Sequence, residues 1–191
     1  MIKAQVENIP WLAELEELQE RFEKISPLNY SEIKEELDGY VVKLDPDPSS
    51  KGLDSLNKKI ADVDSFISRV VTILTNAIAN ENKFESFFSD VVVFYNKHLR
   101  IQLRQKEVAD LSNQKLQQAA AEERIEDIGR LKYAVEKTLN DAKTHTKICK
   151  EKLDNLDKTN KNISRQITVI QTQLEVGEIQ RKVSGRFKDS F

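Results

Sequence analysis

The chain has 191 residues; 32 % are charged, only 7 % are aromatic, and the formal net charge is −2. With 39 % hydrophobic residues it is too apolar for a disordered chain, while the charge excess and aromatic shortage argue against a compact mixed α/β core. Five glycines leave little material for phosphate-cradling loops, and a single cysteine excludes an intrachain disulfide framework.

The opening run Met1 to Asn8 lacks the apolar core of a signal peptide. No stretch approaches the ~20 apolar residues of a membrane span. The expected location is therefore the cytoplasm or the inside of a virus-like particle, with no membrane partner. Pro10 is placed to open a helix, where its missing N–H is least costly. That helix carries Trp11, Leu15, Leu18, Phe22 and Ile25 on one face, at alternating steps of four and three. Glu14, Glu16, Glu17 and Glu20 load its first half with the charge that a helix N-terminus favours. Ser26-Pro27 ends it. A second short helix is predicted from Ser31, with Tyr30, Ile33, Leu37 and Tyr40 as its apolar face and Gly39 near its end. Val41-Val42 is compatible with a short extended piece.

Asp45 to Gly52 consists of turn formers and charge and reads as a linker. It divides the chain into an acidic helical head, 1–44, a linker, 45–52, and a long-helix body, 53–191. Residues 1–50 hold 12 acidic and 5 basic side chains, whereas residues 101–191 hold 18 basic and 14 acidic ones. This polarity can orient a molecule in an assembly.

From Leu53 to Ile128 there is neither glycine nor proline. Steps of three and four from Leu53 pass through Leu56, Ile60, Val63, Ile67, Val70, Leu74, Ala77, Glu81, Phe84, Phe88, Val91, Tyr95 and His98. Only Glu81 and His98 interrupt this heptad seam. Asn80-Glu81-Asn82 and Ser112-Asn113 are candidate breaks, and between Lys97 and Gln118 there is no clean stripe. A second seam in a new phase runs from Ile125 through Ile128, Lys132, Val135, Leu139, Ala142, Thr146, Cys149, Leu153, Leu156, Asn160, Ile163, Ile167, Ile170 and Leu174 to Gly177. A phase change is what a hairpin turn produces, and seams of similar length favour an antiparallel pair. Gly129 is another place to turn or kink, and Gly177 and Gly185 are expected to loosen the C-terminal end. Lys132, Thr146 and Asn160 put polar groups into the seam at intervals of 14 residues; such positions fix register, and Asn160 is the best placed to do so.

The two histidines, His98 and His145, belong to no metal-ligand cluster. His145 and Cys149 share a helix face, but a buried thiol beside a surface histidine explains them without an ion. No nucleophile elbow, Walker loop, zinc-protease or dinucleotide fingerprint is present. No catalytic residue, cofactor, metal or small-molecule substrate is expected. Lys97, Arg100, Arg104 and Lys106 follow Phe94-Tyr95, a pairing of cations and aromatics that can grip single-stranded nucleic acid. Arg181, Lys182 and Arg186 form a second basic group.

The expected fold is all-α: long heptad helices in an elongated antiparallel bundle or coiled coil, with a small N-terminal head. Build alone, with no residue assignment, is similar to that of phage structural, scaffolding and adaptor proteins, recombination mediators and small terminase subunits. The expected function is non-enzymatic assembly with protein partners as a homo-oligomer. The oligomer seam would use Leu56, Ile60, Val63, Ile67, Val70, Leu74, Leu139, Leu153, Leu156, Asn160, Ile163, Ile167, Ile170 and Leu174. Trp11, Leu15, Leu18 and Phe22 would bind the body or a partner. The alternative is a nucleic-acid-binding accessory protein using the segment 97–106.

Overall fold

The computed structural model describes residues 11–25, 27–44 and 52–188, with side chains as far as Gly177. The predicted helix opening at Pro10, most of the linker, and the side chains of Arg181, Lys182 and Arg186 lie outside the described residues. The helices are α1 (Leu12–Lys24), α2 (Tyr30–Gly39), α3 (Gly52–Leu103), α4 (Lys106–Ala109), α5 (Gln114–Arg124) and α6 (Glu126–Lys188). The fold is all-α. Residues 41–44, including the expected extended piece at Val41-Val42, have no regular structure.

The two long helices follow from the absence of breakers and the persistence of the heptads. Gly52 opens α3 with φ +76°, a conformation that strains any residue with a side chain. Asn80-Glu81-Asn82 does not interrupt α3. Asn80 is buried inside the helix, in register with Ile73, Phe87 and Phe94 at intervals of seven. The chain turns later than the first candidate break and in several steps. α3 stops at Leu103, α4 is a single turn, and Asn113 caps α5 by accepting a hydrogen bond from the Lys115 N–H at 2.8 Å. Gln117 Nε2 donates to the carbonyls of Ala109 and Leu111, closing the α4–α5 turn. The corner into α6 is Ile125, fully buried, with φ −120° and ψ 28°. Gly129 lies four residues inside α6 and makes no turn, and α6 also runs past Gly177 and Gly185.

The chain forms two compact units. One contains residues up to Leu28 with Asn76–Thr146; the other contains Asn29–Thr75 with Lys147 onward. The predicted head is therefore not a unit of its own: α1 folds with one unit and α2 with the other. The reason is that each short amphipathic helix buries its apolar face on a different part of the long ones.

In the first unit, α1 lies antiparallel to α3. Glu14 pairs with Lys97, Arg21 with Asp90, and the Phe22 ring stacks on Phe87 at 5.9 Å. α3 and α6 also run in opposite senses here, since Glu85 meets Lys143 while Tyr95 lies under Lys132. One core joins Trp11, Leu15 and Leu18 to Phe87, Val91 and Phe94 of α3 and to Ile125, Ile128, Leu131 and Val135.

In the second unit, α2 lies antiparallel to α3. Tyr40 stacks on Phe66 at 4.8 Å, Arg69 forms a two-pronged pair with Glu36, and Lys59 donates to the Lys43 carbonyl at 2.7 Å. Asn160 Nδ2 of α6 donates to Asp64 Oδ1 of α3 at 2.9 Å. Leu37, Leu56, Val63, Val70, Ile73, Cys149, Leu156, Ile163 and Ile170 are this unit's buried apolar residues on these helices, among the described residues.

Candidate docking surfaces

The heptads resolve into columns of distinct burial. Leu56, Val63, Val70, Ala77, Phe84, Val91 and His98 stand seven apart on α3 and every one is buried. Ile128, Val135, Ala142, Cys149, Leu156, Ile163 and Ile170 do the same on α6. The alternating column of the first seam, containing Ile60, Ile67 and Leu74, is only half-buried. From Ile73 onward the second fully buried column of α3 is one residue earlier, at Ile73, Asn80, Phe87 and Phe94. In the unit formed by Asn76–Thr146, α3 has two neighbours, α1 and α6. Its buried face is correspondingly wide.

Of the remaining predicted seam residues, Leu139 is buried, while Leu153, Asn160 and Ile167 are half-buried. Leu174 is 56 % exposed. On the same α6, Val169 and Val176 are 55 % and 48 % exposed. The buried column ends at Ile170, so α6 carries apolar side chains past the point where its own chain covers them.

The three polar seam positions are accommodated differently. Lys132 places its ammonium 4.5 Å from the Tyr95 ring centre, a cation–π contact. Asn160 bonds Asp64 across the helix pair. Thr146 is buried and its hydroxyl makes no hydrogen bond.

Of the two roles expected for the head's apolar face, binding the body or a partner, the first is the one seen. Trp11, Leu15 and Leu18 are buried and Phe22 half-buried against the chain's own α3 and α6, because an apolar stripe of this size has a matching groove within reach. A groove of about 340 Å³ remains between α1 and α3, with Leu18 and Phe94 at its base and Val93, 66 % exposed, on its rim. Four of its charged lining residues pair across it, Arg21 to Asp90 at 2.8 Å and Lys97 to Glu14 at 3.0 Å.

The basic segment is divided by the fold. Lys97 is tied to Glu14 and lies over Phe94, so it belongs to the α1 contact. Arg100 and Arg104 are exposed and, among the described residues, carry no ion pair; Lys106 begins α4 beyond the turn. Phe94 is buried in the core, which removes it as a stacking platform for bases. Sequence reasoning missed the cluster around His98, whose ring sits 4.6 Å from Phe94 edge-on and 6.2 Å from Trp11. The signal for it was the histidine in an otherwise apolar column.

Cys149 is fully buried, and burial raises its thiol pKa, which makes it a packing residue rather than a nucleophile. Burial lowers the pKa of His145, with Asp141 opposing. Among the described residues no three His, Cys, Asp or Glu side chains converge to hold a metal ion, and no helix is long and apolar enough to cross a membrane. No protein-family model matches this chain, and no curated protein or solved structure resembles it at a significant level.

Proposed function

We propose that this chain is a non-enzymatic assembly protein, a scaffold or adaptor, whose long helices pack as antiparallel coiled-coil pairs within one chain and whose leftover apolar surface binds further copies. The observation that carries this reading is the uneven fate of the second seam. Its column is buried without exception from Ile128 to Ile170, and then Leu174 and Val176 stand in solvent. Such an overhang is suited to self-association, because exposed apolar side chains gain free energy when a partner covers them. A particle of viral or other origin is the kind of setting this mode of assembly serves.

Sedimentation equilibrium tests it. The wild-type chain should exceed its monomer mass of 22.0 kDa in a concentration-dependent way. The double substitution Leu174→Glu, Val176→Glu should return it to monomer with unchanged helicity. A wild-type chain that stays monomeric at every concentration contradicts the proposal.

A second reading, a nucleic-acid-binding accessory role, draws support from Arg100 and Arg104, which project from the end of α3 without acidic partners among the described residues. It predicts saturable binding of a single-stranded oligonucleotide that weakens with salt and is lost in Arg100→Ala, Arg104→Ala. Binding that survives the double substitution rules this segment out.

A further inference from the structure

The first unit contains one buried titratable group that the assembly reading does not use. His98 is 6 % exposed and occupies an apolar column of α3. Its ring is wedged between Phe94 of the same helix and Trp11, the residue that caps α1. Its Nε2 is buried without a hydrogen-bond partner, and the nearest acidic oxygen, Glu14 Oε2, is 4.0 Å away. That carboxylate is already engaged by Lys97 at 3.0 Å. A neutral imidazole fills this slot as a small aromatic ring. An imidazolium placed there would have a shielded Nε2–H facing only, among the described residues, a carboxylate already shared with Lys97.

We propose that His98 is a proton-sensitive latch: the neutral ring holds α1 against α3, and protonation releases α1 while the long helices stay folded. Among the described residues, the charged and titratable groups around the ring are few. From α1 comes Glu14, which favours the charged form, and from α3 comes Lys97, which opposes it. Tyr95 of α3 is held above its ordinary pKa by burial and by Glu122 of α5. Burial outweighs these contributions and holds the imidazole pKa below its ordinary value of 6.5. The docked state therefore binds a proton more weakly than the released state. The His98 contribution to docking is fully present above about pH 6.5 and is lost as pH falls through the lower docked-state value.

Trp11 is the chain's one tryptophan, so α1 carries its own reporter. The experiment is a titration of the full chain from about pH 8 to about pH 5, where imidazoles rather than carboxylates change charge. Emission maximum and acrylamide quenching of Trp11 are read alongside far-ultraviolet circular dichroism. Emission intensity is set aside, because an imidazolium close to the indole quenches it without any movement.

The latch predicts a red shift and a several-fold rise in quenching, with most helicity retained. In His98→Gln both changes should vanish, while in His145→Gln they should persist. Glu14→Gln should move the midpoint to lower pH, since it removes an anion that favours the charged ring. Should His98→Gln fail to fold, His98→Phe, which keeps an aromatic ring in the slot, takes its place. A wild-type Trp11 that stays shielded across the range overturns the proposal. So does a transition that survives removal of the His98 imidazole.

Discussion

At the scale of single residues, burial and hydrogen bonding separate positions that look alike in sequence. Helical threonines in this chain return their hydroxyl to the carbonyl four residues earlier: Thr138 to Ala134, Thr144 to Asn140, Thr159 to Asn155. Thr146 is the exception, buried at 3 % exposure with its hydroxyl unbonded. A buried donor without a partner costs about 1–3 kcal/mol, and replacing it by an apolar group of the same shape removes that cost. Thr146→Val should therefore leave stability unchanged or raise it by ~1 kcal/mol in urea unfolding. A loss of stability would show that the hydroxyl has a partner in solution. The sequence made Thr146, Lys132 and Asn160 visible as polar members of one column. It could not say that one meets an aromatic ring, one a carboxylate and one nothing, because those outcomes depend on residues some 35 to 100 positions away.

At the scale of elements, periodicity was a sound guide to helices and a weaker one to their ends. The seams of α3 and α6 were legible because every seventh residue is buried regardless of what surrounds the helix. The corner was not, because Ile125 turns the chain with neither glycine nor proline, and Gly129, which looks like a breaker, is helical interior. The buried face of α3 was read too narrowly, since a heptad stripe describes contact with one neighbour and α3 has two, whereas the face expected for α1 is the one it buries. Gly129 yields a prediction at this scale. A Cβ built there would meet Tyr95 Cε2 at 3.9 Å, an ordinary contact. Gly129→Ala should stabilise the fold by roughly 0.5–1 kcal/mol through helix propensity alone. Destabilisation, read as a lower melting temperature, would mean that the α3–α6 approach at Tyr95 is tighter than this. α2 illustrates the opposite limit of sequence reading. Its apolar face was evident, but the Arg69–Glu36 pair that fastens it, with Tyr40 donating to the same carboxylate, joins residues 33 apart in no recognisable motif. Those hydrogen bonds hold the Glu36 carboxyl below the ordinary carboxylate range, so their contribution fades as pH falls through that lowered value.

At the scale of the molecule, the question left open by heptads is whether they close within a chain or between chains, since both use the same stripe. Here the partners are intrachain: Asp64 with Asn160 in one unit, Glu85 with Lys143 in the other. The surfaces left over include Val169, Leu174 and Val176, on which the proposed self-association rests, and the apolar face of α1 is buried in the core. The acidic and basic ends seen in the composition were legible from the start. Their use was not, because Lys97 is neutralised by α1 while Arg100 and Arg104 are not. The central claim, that the seams close within one chain, is tested most directly by a crosslink. Cysteines at Asp64 and Asn160, in a Cys149→Ala background, should oxidise to a species that migrates as a compact monomer under non-reducing denaturing conditions. Mixing tagged and untagged chains before oxidation should give no tagged–untagged product. Covalent dimers as the main product would show that the seam is shared between chains and would contradict the account.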